Sequence, residues 1–180
     1  RVHWSANFDE IQDFEHDMRN AFRGTGFMGD ADFNAGTRNQ PLGDAKAGRS
    51  AELDALAAYV SSLNTVGRSP LRAADGALTA DGVAGRALFQ SLDCASCHGG
   101  ADFTDSTSGS LHDIGTIRAS SGKRLGQTLS GIDTPTLRGL WHGAPYLHDG
   151  SAATLDAVFD AANAPDGTAH AVVRSRSATE

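Results

Sequence analysis

Residues 82–100 read GVAGRALFQSLDCASCHGG, a helix-forming run that delivers the chain into Cys94-Ala95-Ser96-Cys97-His98. These are the only two cysteines in 180 residues, three positions apart, with a histidine directly behind them. A Cys-x-x-Cys pair serves a redox disulfide, half of a zinc site or a haem attachment, and the following histidine favours the third. Zinc would need further thiolates or a spaced histidine cluster, and neither follows at ligand spacing. The expectation is one c-type haem, held by thioether bonds from Cys94 and Cys97, with His98 on one face of its iron.

Thr79 or Asp81 caps the helix that leads into this motif, with Val83, Ala87, Leu88 and Leu92 on its apolar side. Gly85 and Phe89 form a pair at which another helix can cross closely. Residues 99–134 are mostly Gly, Ser, Thr and Asp, too polar for regular core elements, and a wrapped porphyrin would supply the apolar mass they lack. A last helix is expected over 153–162, burying Leu155, Val158 and Phe159. Toward the start, Phe8, Ile11, Phe14, Met18 and Phe22 recur at helical steps and predict an amphipathic helix over 7–23. Residues 24–48, around Pro41, read as loop. Ser50 then caps a helix to Leu63 that turns Leu53, Leu56, Ala57, Val60 and Leu63 inward. A linker rich in Gly, Pro, Ser and Asp follows, with a boundary near residues 64–70.

The fold expected is all-α: a class I-like cytochrome c domain wrapped around one covalent haem, with long polar loops, over residues 67–180. Residues 1–66 lie ahead of that boundary, and the family resemblance given below implies that they are the helical tail of a preceding cytochrome-like domain. The chain ends in RSRSATE without an amphipathic candidate for the closing helix of such a domain, so that helix is expected beyond Glu180 or from another subunit. Fifteen basic against 22 acidic residues give a net charge of −7, with no basic run beyond a pair, which argues against nucleic acid or an anionic membrane surface. No stretch nears 18 apolar residues, so no membrane span is expected. Covalent haem is attached outside the bacterial cytoplasmic membrane, which implies a periplasmic or extracellular location, although the first residues do not read as a signal peptide.

Three further runs join GVAGRALFQSLDCASCHGG: LHDIGT at 111–116, the TPTLR segment at 134–138, and APYLHDGS at 144–151 with ATL behind it. Together they resemble the C-terminal haem domain of the bacterial dihaem cytochrome c peroxidases and their MauG-type relatives, over about residues 68–163. LAAYVSSL upstream looks like the closing helix of that family's first domain. The resemblance implies a larger protein in which this haem relays electrons to a second haem. It also implies a calcium between the domains, bound by carbonyls at the positions of Gly143 and Pro145. Two departures stand out. The family keeps a Met or Tyr iron ligand fourteen residues after the histidine of its P-Y-x-H motif, where this chain has Ala162, and no second Cys-x-x-Cys-His is present.

The second face of the iron therefore has several candidates: His112, His142, His148, His170, Met18 and Met28. His170 is preferred because it follows Ala162 closely in a Gly/Ala-rich segment that can fold back. His148 and His112 read as structural or propionate-contacting groups, and the methionines as core or loop residues. Arg138 is a candidate partner for a haem propionate, while Tyr146 and Trp141 suit the wall of the haem edge. Asp102, Asp105, Asp113 and Asp133 read as loop caps. The leading function is single-electron transfer with a redox partner protein or another haem domain. The alternatives are the relay part of a dihaem peroxidase or oxygenase and a haem-based sensor.

Overall fold

A short polar side chain opens each of the two longest helices. The Ser50 hydroxyl accepts the Leu53 N–H at 3.2 Å to start α2, Ala51–Ser62, and the Thr79 hydroxyl accepts the Gly82 N–H at 3.2 Å to start α3, Ala80–Ser91. The computed structural model describes residues 2–159, which fall into two units. One takes the chain through Thr65 together with Arg124–Gln127, and the other runs from Val66 to Lys123 and resumes at Thr128.

In the first unit, α1, Asp30–Phe33, supplies Phe33 to a small core with Met28 and Leu53, against which Met18 packs. The inward face of α2 is narrower than its spacing suggests. Leu53 and Ala57 are buried and Leu56 is half-buried, but Val60 and Leu63 are exposed.

The largest departure lies over residues 7–23. In place of one amphipathic helix, a 3-10 turn at Ile11–Phe14 runs on into a π-helical turn at Asp17–Ala21, and Phe22 is 78% exposed. The buried side is charged. Asp13 accepts from Lys46 Nζ at 2.6 Å with both residues out of solvent, while Glu15 takes the N–H groups of Phe27 and Met28 and the Arg19 Nε at 2.8 Å. On a regular helix these two carboxylates would stand about 200° apart, so burying both requires turns that are first tightened and then widened.

The all-α expectation is met only coarsely, because residues 123–128 form a two-stranded ribbon, β1 at Lys123–Arg124 and β2 at Gln127–Thr128. Leu125 and Gly126 both take positive φ, the twist that a two-residue hairpin turn demands. Its tip belongs to the first unit, where Arg124 Nε donates to the Ser5 carbonyl at 3.0 Å.

In the second unit no residue of α3 is buried, and Val83 and Leu88 reach solvent. A side chain at Gly85 would meet nothing within 4 Å, so the close crossing expected there has no partner among the described residues. Among the described residues of this unit the buried apolar groups are few, namely Leu129, Ile132 and Ala152. α4, Leu155–Val158, is capped by Thr154, but Leu155 is exposed where burial was expected, and the rest of the expected helix to 162 lies outside the described residues. No described helix is long and apolar enough to cross a membrane.

Two predictions follow from the charged interior of the first unit. Replacing Asp13 by Ala strands the buried Lys46 ammonium and should cost about 3–5 kcal/mol in chemical denaturation. Burial alone would raise the Glu15 carboxyl, but its bonds from Phe27, Arg19 and Met28 outweigh that and hold it below the usual range. A depressed carboxylate contributes stability above its unfolded pKa and loses it as pH falls through the folded one. Acid titration should therefore destabilise wild type through the carboxylate range more steeply than Glu15→Gln.

Candidate haem site

The Cys-x-x-Cys-His segment is a single tight turn packed on the end of α3. Asp93 adopts a left-handed backbone, φ 59°, the Cys94–Ser96 turn follows, and the His98 N–H returns to the Cys94 carbonyl at 2.9 Å. Both thiols are free and half-buried. Burial pushes the Cys94 thiol up, and the charge of Asp93 adds to that.

His98 is oriented by its own loop, since Nδ1 lies 3.2 Å from the Phe103 carbonyl. A carbonyl only accepts, so the proton sits on Nδ1 and the lone pair on Nε2. That tautomer is the one an iron-ligating histidine needs. The loop doubles back tightly, and a side chain at Gly99 would come within 2.7 Å of the Ala95 carbonyl oxygen. Around the turn, apolar groups such as Leu88 and Phe103 reach solvent, and the Phe89 and Phe103 rings meet edge to face at 6.3 Å. Two free thiols, an imidazole presenting Nε2 and an apolar surround fit the chemistry of haem c attachment.

The 99–106 loop is fastened by the 131–138 segment. Thr104 Oγ1 donates to the Thr134 carbonyl at 2.6 Å, the Thr136 hydroxyl donates to the Asp102 carbonyl, Arg138 pairs with Asp102 at 2.8 Å, and Ser106 Oγ donates to Asp133 at 2.5 Å. Arg138, expected beside a propionate, is thus exposed and joined to Asp102. Tyr146 donates its hydroxyl to the Leu140 carbonyl at 2.8 Å, and the half-buried Trp141 ring lies 5.7 Å from that of the exposed His142. Gly143 and Pro145, the expected calcium positions, flank Ala144, whose bond to Pro145 is cis. His148 Nε2 lies 2.7 Å from Ser121 Oγ. Met18 and Met28 belong to the first unit's core, while Ala162 and His170 lie outside the described residues.

One cluster escaped the sequence reading. His112 exchanges both backbone hydrogen bonds with Ile132, and its ring stands 3.8 Å from Cys97 Sγ and 2.7 Å from Asp105 Oδ2. Ligand atoms of Cys97, Asp105 and His112 all lie within 4.8 Å of one another. Separations of seven and fifteen residues form no recognised motif, so only the fold brings them together.

A family model described as RoxA-like, cytochrome c-like matches residues 131–167. Among curated relatives, hydrazine synthase subunit gamma of Kuenenia stuttgartiensis is 32% identical over 140 aligned residues, covering 57% of this chain and 38% of that protein. The methylamine utilization protein MauG of Methylorubrum extorquens is 37% identical over 94 residues, covering 48% of this chain and 26% of that protein. The chain thus spans well under half the length of these relatives. No solved structure matches it.

The turn geometry separates two neighbouring glycines. Gly99→Ala drives a side chain into the Ala95 carbonyl and should cut covalent haem per unit protein severalfold on a haem-stained denaturing gel. Gly100→Ala meets open space, bears only the strain of its positive φ, and should lose much less.

Proposed function

We propose that residues 67–180, similar to MauG and hydrazine synthase subunit gamma and matched over 131–167 by a RoxA-like, cytochrome c-like family model, are a monohaem c-type electron-transfer domain of an extracytoplasmic redox protein. The observation that carries the reading is the Nδ1 bond of His98 to the Phe103 carbonyl, which turns Nε2 outward on the same turn as two free thiols. Cys94 and Cys97 form the thioether bonds, and His98 is the proximal ligand. The bound haem supplies one-electron chemistry, its iron passing between the ferric and ferrous states. The protein's part is to hold the imidazole in one tautomer and orientation, which raises its basicity as a ligand. Leu88, Phe89 and Phe103 would shield a bound haem from water, and Trp141 and Tyr146 would help to wall it in. His170 is the residue we assign to the far face, and a calcium at Gly143 and Pro145 belongs to the same reading. The partner is a redox protein or another haem domain of the same larger protein.

The similarity to MauG supports a second reading, in which the domain relays electrons within a longer dihaem enzyme. A second Cys-x-x-Cys-His upstream of Arg1 would move weight to it.

The purified chain, matured with haem, should show a six-coordinate low-spin spectrum that carbon monoxide leaves unchanged in the ferrous state. A high-spin site that binds carbon monoxide readily would overturn the electron-transfer reading in favour of a sensor or an oxidative catalyst. Cys94→Ala and Cys97→Ala should each lose one thioether bond, and the double variant should lose all haem that survives denaturation.

A further inference from the structure

The fold supplies the metal ligand that sequence spacing withholds from Cys94 and Cys97. Asp105 Oδ2 lies 2.7 Å from His112 Nε2, and a carboxylate only accepts, so that nitrogen carries the proton and the Nδ1 lone pair is turned toward Cys97 Sγ, 3.8 Å away. An imidazole that offers one nitrogen to a metal commonly gives its other N–H to a carboxylate, which fixes both tautomer and ring orientation. The two ligating groups are held independently of each other. Paired backbone bonds join His112 to Ile132, and the Cys94–Ser96 turn carries the sulfur.

The spacing suits a tetrahedral ion. Zinc lies about 2.3 Å from sulfur and about 2.0–2.1 Å from nitrogen, which at a tetrahedral angle sets those two atoms about 3.6 Å apart. The observed 3.8 Å needs only a small side-chain adjustment to take the ion. Ligand atoms of Cys97, Asp105 and His112 lie within 4.8 Å of one another, and all three residues are half-buried. Cys94, a free thiol half-buried on the same turn, offers the second sulfur of a Cys-x-x-Cys half-site. Thiolate and imidazole ligands select zinc, whereas calcium and magnesium take oxygen.

We propose that the reduced, haem-free chain binds one zinc ion through Cys94, Cys97 and His112, with Asp105 holding the His112 ring and water in the fourth position. The site stands on the turn and the 105–112 segment and does not depend on the haem reading. On binding, each thiol gives its proton to water, and two thiolates balance the charge of the ion. No electron moves. Zinc and haem exclude each other at this turn, because the thiolate is the metal ligand and a thioether sulfur is neutral.

Cobalt(II) tests the site, since its absorption reports tetrahedral geometry and thiolate ligation. The full chain, produced without haem and with its cysteines reduced, should take up one cobalt ion and show a sulfur-to-metal charge-transfer band that one equivalent of zinc removes. His112→Gln should weaken zinc binding about tenfold or more, and Asp105→Asn by about 10–100-fold, with far-UV circular dichroism unchanged. Exposed His142, replaced by Gln, should leave binding as in wild type. The haem-loaded chain should retain no zinc by elemental analysis. If His112→Gln loses its fold, Asp105→Asn decides the matter. A wild type that takes up no stoichiometric ion overturns the proposal, and so does His112→Gln or Asp105→Asn binding as tightly as wild type, which would leave His112 with only an S–H···N contact. Cobalt uptake that depends on His112, in a chain that takes no covalent haem, supports this site and overturns the haem reading. Covalent haem on a chain whose haem-free form binds no ion overturns this site alone.

Discussion

The hydrogen bond between His98 Nδ1 and the Phe103 carbonyl is the constraint from which the second unit is built. It requires the chain to leave the histidine, reverse within five residues and present a carbonyl back to the ring. Gly99 makes the reversal sterically feasible, and the Thr104 N–H closes it on the Gly99 carbonyl. A carbonyl at the end of a polar loop orients nothing unless the loop itself is held. The 131–138 segment does this, through the bonds of Thr134, Thr136, Arg138 and Asp133 to residues 102–106. Each such bond contributes about 0.5–1.5 kcal/mol net, so several acting on one short loop fix it as firmly as a modest apolar contact would. Few of the described side chains in this unit are both apolar and buried, and the polar fastening stands among them.

What the sequence made legible follows from how local each device is. The Ser50 and Thr79 caps lie three residues from the N–H groups they accept, and both helices start where their spacing says. Cys94, Cys97 and His98 are equally local, lying within five residues on one turn closed by the His98 N–H on the Cys94 carbonyl. The TPTLR run is visible in the sequence, but the bonds it makes in the fold are not local. Arg138 pairs with Asp102, 36 residues away, and the hydroxyls of Thr104 and Thr136 act across 30 and 34 residues. Hydroxyl groups carry no periodic signal, so neither their partners nor their burial can be read from spacing.

The first unit shows the same limit in a harsher form. A stripe of Phe8, Ile11, Phe14, Met18 and Phe22 is a fair helical pattern, and charged neighbours are by default assigned to solvent. That default fails here because Asp13 meets Lys46, 33 residues on, and Glu15 meets the backbone N–H groups of Phe27 and Met28. Once both carboxylates are satisfied internally, a regular helix can no longer serve them, and the backbone yields to the polar groups. His16 completes this interior as a neutral ring, since burial and the Lys46 charge both lower its pKa, and it lies among the rings of Phe8 and Phe33. Buried ion pairs bring little net stability over apolar packing. What they impose is a single geometry, since any alternative leaves a charge stranded.

His112 and His148, both half-buried in the second unit, show why the partner, rather than the residue type, sets the chemistry. Residue counting gave His112 and His148 the same structural reading, each inside a short motif. His148 Nε2 lies 2.7 Å from the Ser121 hydroxyl, which donates or accepts as the ring requires. His112 has a carboxylate at Asp105, which accepts only and so holds the proton on Nε2. The first arrangement ties the 144–151 segment to Ser121. The second leaves Nδ1 of His112 facing Cys97 Sγ at 3.8 Å, so that one ring joins the 99–106 loop to the Cys94–His98 turn.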